Sequence, residues 1–172
     1  MAKTGAKVGL GSALALLIAG AIVAKYEPAA NQNKPYWDPW GKVWTVCEGH
    51  TGDVDPNRLY TDAECQAFKD ADLAVANAAV HRCIPVPMLV QIEAALTDAA
   101  YNIGPKVVCD STLRQKALAN DWPGACAELD RWRKAGRRVL PGLVRRRFDA
   151  RGICEGQVTI RYYQQWLKEY GA

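Results

Sequence analysis

The sequence predicts an α+β protein, mainly α, in which one small sheet near the N-terminus precedes a helical body. Two stretches establish the helices. Thr61-Asp-Ala-Glu64 matches a capping box, and Phe68, Ala71, Val75 and Ala79 follow at helical spacing, so one long helix starts here and runs to about His81. After Pro85 and Pro87, residues 88–102 form a strongly apolar helical stretch ending near Gly104, the composition of a buried core helix. The sheet rests on residues 29–52, rich in Pro, Asn, Gly and Trp with short alternating pieces such as 42–46, the pattern of strands and turns.

The remaining elements follow from caps and breakers. Ser111 caps another helix, and Asp121 followed by Trp122 and Pro123 opens one expected to end at Gly136. Residues 142–154 and 158–170 complete the helical count, with no internal repeat or low-complexity segment. At the N-terminus, Lys3 and Lys7 precede an uncharged run over residues 8–24 that Lys25 closes, the pattern that export machinery reads. The run is short against the roughly 20 residues of a spanning helix and is diluted by Gly9, Gly11, Ser12 and Gly20, so it holds a bilayer weakly. An uncleaved anchor and a cleavable signal peptide both fit, the latter through Ala19, Ala21 and Ala24.

With 172 residues and 49% hydrophobic content, the chain buries one sizeable core or two small lobes. The net charge of +4 is modest, yet nine Lys or Arg residues fall between Arg131 and Arg151. Wall polymer, anionic lipid and nucleic acid would all be drawn to that patch, and a solvated helix face needs no partner at all. Six cysteines, Cys47, Cys65, Cys83, Cys109, Cys126 and Cys154, stand in a chain that reads as exported, which favours disulfides. None stands in a C-x-x-C spacing and the histidines are His50 and His81 alone, so no structural zinc site is expected.

The stretch Tyr36-Trp-Asp-Pro-Trp-Gly-Lys-Val-Trp-Thr-Val-Cys-Glu-Gly-His-Thr-Gly52 resembles the active-site hairpin of phage-type lysozymes, glycoside hydrolase family 24. Ala99-Ala-Tyr-Asn-Ile-Gly104, Ser111-Thr-Leu113, Trp132 and Pro141-Gly-Leu-Val-Arg-Arg-Arg147 resemble that family's C-terminal lobe, so the similarity covers about residues 26–156. The resemblance implies a lysozyme-like two-lobed fold with a long interlobe helix. Residues 1–25 would be a signal-arrest-release or transmembrane segment and 26–172 the lysozyme domain, its small N-lobe at about 26–62 and its helical C-lobe at about 82–172. It also implies an endolysin that hydrolyses the β-1,4 bond between N-acetylmuramic acid and N-acetylglucosamine in bacterial peptidoglycan. The expected protein is a monomer without cofactor, metal or nucleic-acid partner, tethered inactive in the host inner membrane and released to the periplasm.

The family's catalytic order of Glu, Asp and Thr falls on Glu27, Asp38 and Thr45. Glycoside hydrolysis needs one protonated carboxyl to assist the leaving oxygen and an ionised carboxylate opposite it. Glu27, the sole carboxylate before Asp38, would stand at the end of the first helix, where partial burial keeps it a proton donor. Asp38 supplies the ionised partner from a polar loop, and the Thr45 hydroxyl positions a water, as in an inverting reaction. Both intervals are longer than the family's, and Pro28 replaces the usual Gly; insertions within residues 31–35 and at Lys42 or Val43 accommodate the extra length.

Tyr36, Trp37 and Trp40 are candidates to stack on sugar faces, or else interfacial anchors beside a membrane. Trp44, alternating with Thr45, is expected in the core, Glu48 on an exposed strand, and the run Arg145 to Arg147 on a solvated helix face or against acidic peptide stems. His50 lies three residues from Cys47 and faces the other side of a strand, which argues against a thiol hydrolase; a structural pairing with Asp70 or Asp72 is expected instead. The resembled fold implies the disulfides Cys47–Cys65, Cys83–Cys109 and Cys126–Cys154. The rival functions are a lytic transglycosylase, against which Asp38 and Thr45 argue, and a non-catalytic wall-binding protein, against which the Glu27, Asp38, Thr45 order discriminates.

Overall fold

The computed structural model describes residues 10–26, 33–39 and 41–157. Helix α1 spans Leu10–Tyr26, followed by a hairpin of β1 (Tyr36–Asp38) and β2 (Val43–Thr45). The body then runs through α2 (Asp62–Cys83), α3 (Val90–Ile103), α4 (Lys106–Cys109), α5 (Thr112–Leu118), α6 (Trp122–Ala127), a 3-10 turn (Glu128–Arg131), a second hairpin of β3 (Lys134–Ala135) and β4 (Arg138–Val139), and α7 (Pro141–Cys154).

Helix α3 is the hub because its composition leaves it no solvent face. Residues Ile92 to Ala100 are buried without exception, and α1, α2 and α7 pack around them. The α1 helix docks through Ala15, Ala19, Ile22 and Val23, which recur at helical spacing and bring its axis close to α2 and α3. Among the described residues, no helix is long and apolar enough to cross a membrane.

Local chemistry sets the ends of α2. The Thr61 Oγ1 accepts from the Glu64 amide at 3.2 Å while Glu64 Oε2 accepts from the Thr61 amide at 2.8 Å, the expected capping box. These bonds from Thr61, joined by Arg58, hold the Glu64 carboxyl down at about 2. The helix stops at Ile84, before Pro85, whose ring disfavours helical backbone in the preceding residue. Disulfides join Cys47 to Cys65, Cys83 to Cys109 and Cys126 to Cys154, the same three pairs that the resemblance implies. They staple the first hairpin to α2, α2 to α4, and α6 to α7, and each closed loop contributes on the order of 3 kcal/mol.

The helix expected to run from Trp122 to Gly136 is shorter. Asp121 does cap it, accepting from the Gly124 amide at 2.9 Å, but α6 ends at Ala127 and the 3-10 turn ends at Arg131. Gly136, at φ +57°, instead forms the tight turn between β3 and β4, a conformation that glycine adopts without steric cost. The helix expected over residues 158–170 lies outside the described residues.

A polar network is built into the α1–α2–α3 junction. The buried Glu93 carboxylate accepts from Asn77 Nδ2 at 2.9 Å and lies 2.8 Å from His81 Nε2, and Ser12 of α1 also bonds it. Burial alone would raise its pKa, but these bonds outweigh it and hold the carboxyl below its ordinary value. A depressed folded value means that the stability Glu93 contributes is complete above pH 4.5 and lost as pH falls through the folded value. Urea midpoints should therefore decline more steeply below pH 4.5 in the wild type than in Glu93→Gln.

Candidate active site

The first hairpin places two of the three expected catalytic residues by its register. Tyr36 pairs with Thr45, Trp37 with Trp44 and Asp38 with Val43. Opposed residues share a face and successive residues alternate, so Tyr36, Asp38, Val43 and Thr45 lie on one face and Trp37 and Trp44 on the other. Asp38 is half-buried and Thr45 is 3% exposed, its Oγ1 reaching the Val43 carbonyl only at 3.5 Å, the outer limit of a hydrogen bond. Gly41 sits beneath the carboxylate: a Cβ there would stand 2.8 Å from Asp38 Oδ2 and 3.2 Å from Val43 Cγ1.

The end of α1 rests on a buried charged platform that no single motif discloses. Asp98 is fully buried at the centre of α3, and Arg146 of α7 donates to it through Nε at 3.0 Å and Nη2 at 2.6 Å. Arg147 also approaches Asp98, at 3.8 Å, and donates to Asn102. The Arg146 guanidinium lies 5.8 Å from the centre of the Tyr26 ring, within cation–π range. Tyr26 donates its hydroxyl to Asp149 at 2.5 Å, and Lys25 bonds the same carboxylate oxygen. Burial, then the bond to Asp149, pushes the Tyr26 phenol above its usual range, so it remains a donor.

Glu27 is the residue after Tyr26 and lies outside the described residues, as does Trp40. Of the aromatic candidates, Tyr36 shares the Asp38 and Thr45 face, half of its surface exposed, whereas Trp37 points to the opposite face and packs edge-on against Trp44 at 5.7 Å. The hairpin does not bring Tyr36 and Trp37 together. Trp44, expected in the core, is 38% exposed, because a two-stranded hairpin covers only one of its faces.

Two charged residues also depart from expectation. Glu48 lies in the turn after β2 and is mostly buried, its Oε1 accepting from Lys69 at 3.1 Å. Its backbone carbonyl accepts from the Tyr101 hydroxyl at 2.7 Å, joining the hairpin loop to α3. In the Arg145 to Arg147 run only Arg145 is solvated, since a periodicity of 3.6 turns the next two residues toward α3. Asp98 was the missed signal: a carboxylate in an apolar core helix needs buried hydrogen-bonding or charged partners, and Arg146 is one.

His50 meets its expected partner, with Nδ1 2.8 Å from Asp72 Oδ2 and its ring stacked on Phe68 at 4.1 Å. Where this loop faces α2 and α3, a groove of about 300 Å³ opens between Gly49, Thr51, Asp72, Ala76, Tyr101 and Gly104. Among the described residues, no cluster of His, Cys, Asp and Glu has the arrangement of a metal site.

Comparison with known proteins matches this arrangement to a family. The phage lysozyme family model matches residues 27–149. The SAR-endolysin of Enterobacteria phage P21 is 41% identical over 121 residues, covering 70% of this chain and 73% of the relative. That of Escherichia phage Mu is 37% identical over 143 residues, covering 78% and 83%. Among solved structures, the active form of the endolysin Lyz of phage P1 superposes with a TM-score of 0.72 at 21% identity, over 91% of this chain and 99% of that one. With a mainly helical body, a hairpin carrying Asp38 and Thr45, and a family match over 27–149, the chain belongs to the phage lysozyme family.

Proposed function

We propose that this peptidoglycan-degrading endolysin cleaves the β-1,4 bond between N-acetylmuramic acid and N-acetylglucosamine with Glu27 as general acid and Asp38 and Thr45 holding the attacking water. The observation that carries the reading is the hairpin register, which puts Asp38 and Thr45 on one face. Glu27 donates its proton to the glycosidic oxygen as the bond from the anomeric carbon breaks. A water held by the Thr45 hydroxyl attacks that carbon from the other side and gives a proton to Asp38, with inversion. Tyr36 on the same face stacks against a sugar ring.

Product mass tests the reaction: hydrolysis adds one water per bond cleaved, while a lytic transglycosylase leaves an anhydro sugar and adds none. Anhydro products would overturn the hydrolytic assignment of Asp38 and Thr45. A subtler check is Gly41→Ala, whose new methyl group displaces the Asp38 carboxylate rather than the backbone. Turnover should fall by about tenfold or more while the thermal midpoint moves little, as measured on purified enzyme.

We also infer that residues 1–25 tether the enzyme to the host inner membrane, inactive, until it is released into the periplasm as a monomer. Relatives named SAR-endolysins support this, as does α1 itself: its outer face keeps Leu14 42% and Leu17 72% exposed, so the helix is apolar all round. A helix serving only the packed protein needs no such face. Collapsing the membrane potential should free active enzyme of unchanged mass; a shortened product would overturn release without cleavage, and light scattering checks the monomer.

A further inference from the structure

We propose that Asp149 is a positioning residue for catalysis, a clamp on α7 that grips the last two side chains of α1 and so fixes the chain from which Glu27 continues. The proposal rests on the reading of Glu27 as the acid. Asp149 Oδ2 takes hydrogen bonds from both Tyr26, at 2.5 Å, and Lys25, which pair with the one oxygen across more than 120 residues of sequence.

The need for such a clamp follows from how the rest of α1 is held. Ala15, Ala19, Ile22 and Val23 dock by apolar contact, which is non-directional and tolerates sliding and rotation. The last turn of any helix has carbonyls without intrahelical partners and frays. Directional bonds from two consecutive residues remove both freedoms one peptide before Glu27.

Arg146, one turn earlier on α7, donates to the buried Asp98. That ion pair joins α3 to α7. The Asp149 bonds, in contrast, bridge α1 and α7 and exist only when α1 is packed on the body. The clamp thus ties departure of α1 from a bilayer to completion of the site.

The test uses purified full-length enzyme acting on soluble peptidoglycan fragments, with D149N, D149E, K25M, Y26F and the K25M/D149N double variant. D149N should lower kcat by about tenfold to 100-fold with KM within about twofold, the signature of misplacement rather than lost binding. D149E should recover most of the rate, and K25M/D149N should be no slower than D149N, because both act through one contact. Wild-type kcat in folded D149N, or a rise in KM alone, overturns the clamp. If D149N does not fold, Y26F and K25M decide: a fall in kcat of about fivefold at unchanged KM supports it, and wild-type kcat in both overturns it. E27Q, run in parallel, separates the two ideas. An inactive E27Q beside a fully active D149N removes only the clamp, whereas a fully active E27Q removes the acid assignment itself.

Discussion

Replacing Glu27 with Gln is expected to lower the rate of peptidoglycan cleavage by about 10²- to 10⁴-fold, the contribution of a well-placed general acid. Gln keeps the size and hydrogen-bonding capacity of the side chain and loses the proton, so wall binding should survive. The reason is the leaving group: a sugar alkoxide departs poorly unless a proton arrives as the bond breaks. Thr45→Ala should cost less, because in the proposed reaction Asp38 still reaches the attacking water. Clearing of outer-membrane-permeabilised Gram-negative cells, with wild type and variants at equal concentration, gives the comparison. Equal clearing by wild type and Glu27→Gln would remove Glu27 from the mechanism. Glu48 would be a poor replacement, since its carboxylate is bound to Lys69 on the side facing α2.

Replacing Asp98 with Ala should destabilise the protein by about 3–5 kcal/mol, because it removes the carboxylate that takes two hydrogen bonds from the buried Arg146 guanidinium. Arg146 is 2% exposed and Arg147 is 1% exposed, so neither head group has a low-cost route to water. Against a total stability of roughly 5–15 kcal/mol, that is a large fraction, equivalent to a thermal midpoint lowered by about 6–20 °C. Urea denaturation at neutral pH checks it, and a shift below about 1 kcal/mol would show that the platform relaxes or hydrates. Replacing Asp98 and Arg146 together with apolar residues should cost less than Asp98→Ala, which separates the stranded charge from the value of the pair.

The elements with strong local signals were legible from residues alone. The Thr61 and Glu64 capping box states where α2 begins, the apolar run around Leu96 states that α3 is buried, and Asp121 announces α6. The catalytic candidates were legible only as a set, since a turn Asp and a strand Thr carry no signal until their order beside Gly49-His50-Thr51-Gly52 is compared with a family. Trp44 was misjudged because alternation reports which residues share a face, not which face is covered; one short hairpin leaves a side in water.

What the sequence determined by itself is therefore what neighbours along the chain can settle: caps, periodicities, the uncharged run before Lys25, and the family to which the motifs belong. Only the tertiary structure decided which distant charges meet. Asp98 with Arg146, Glu93 with Asn77 and His81, and Asp149 with Lys25 and Tyr26 are separated by 12 to 124 residues. Burial makes an unpartnered charge costly, so Asp98 and Glu93 must find partners, but which ones depends on where packing against α3 brings the helices.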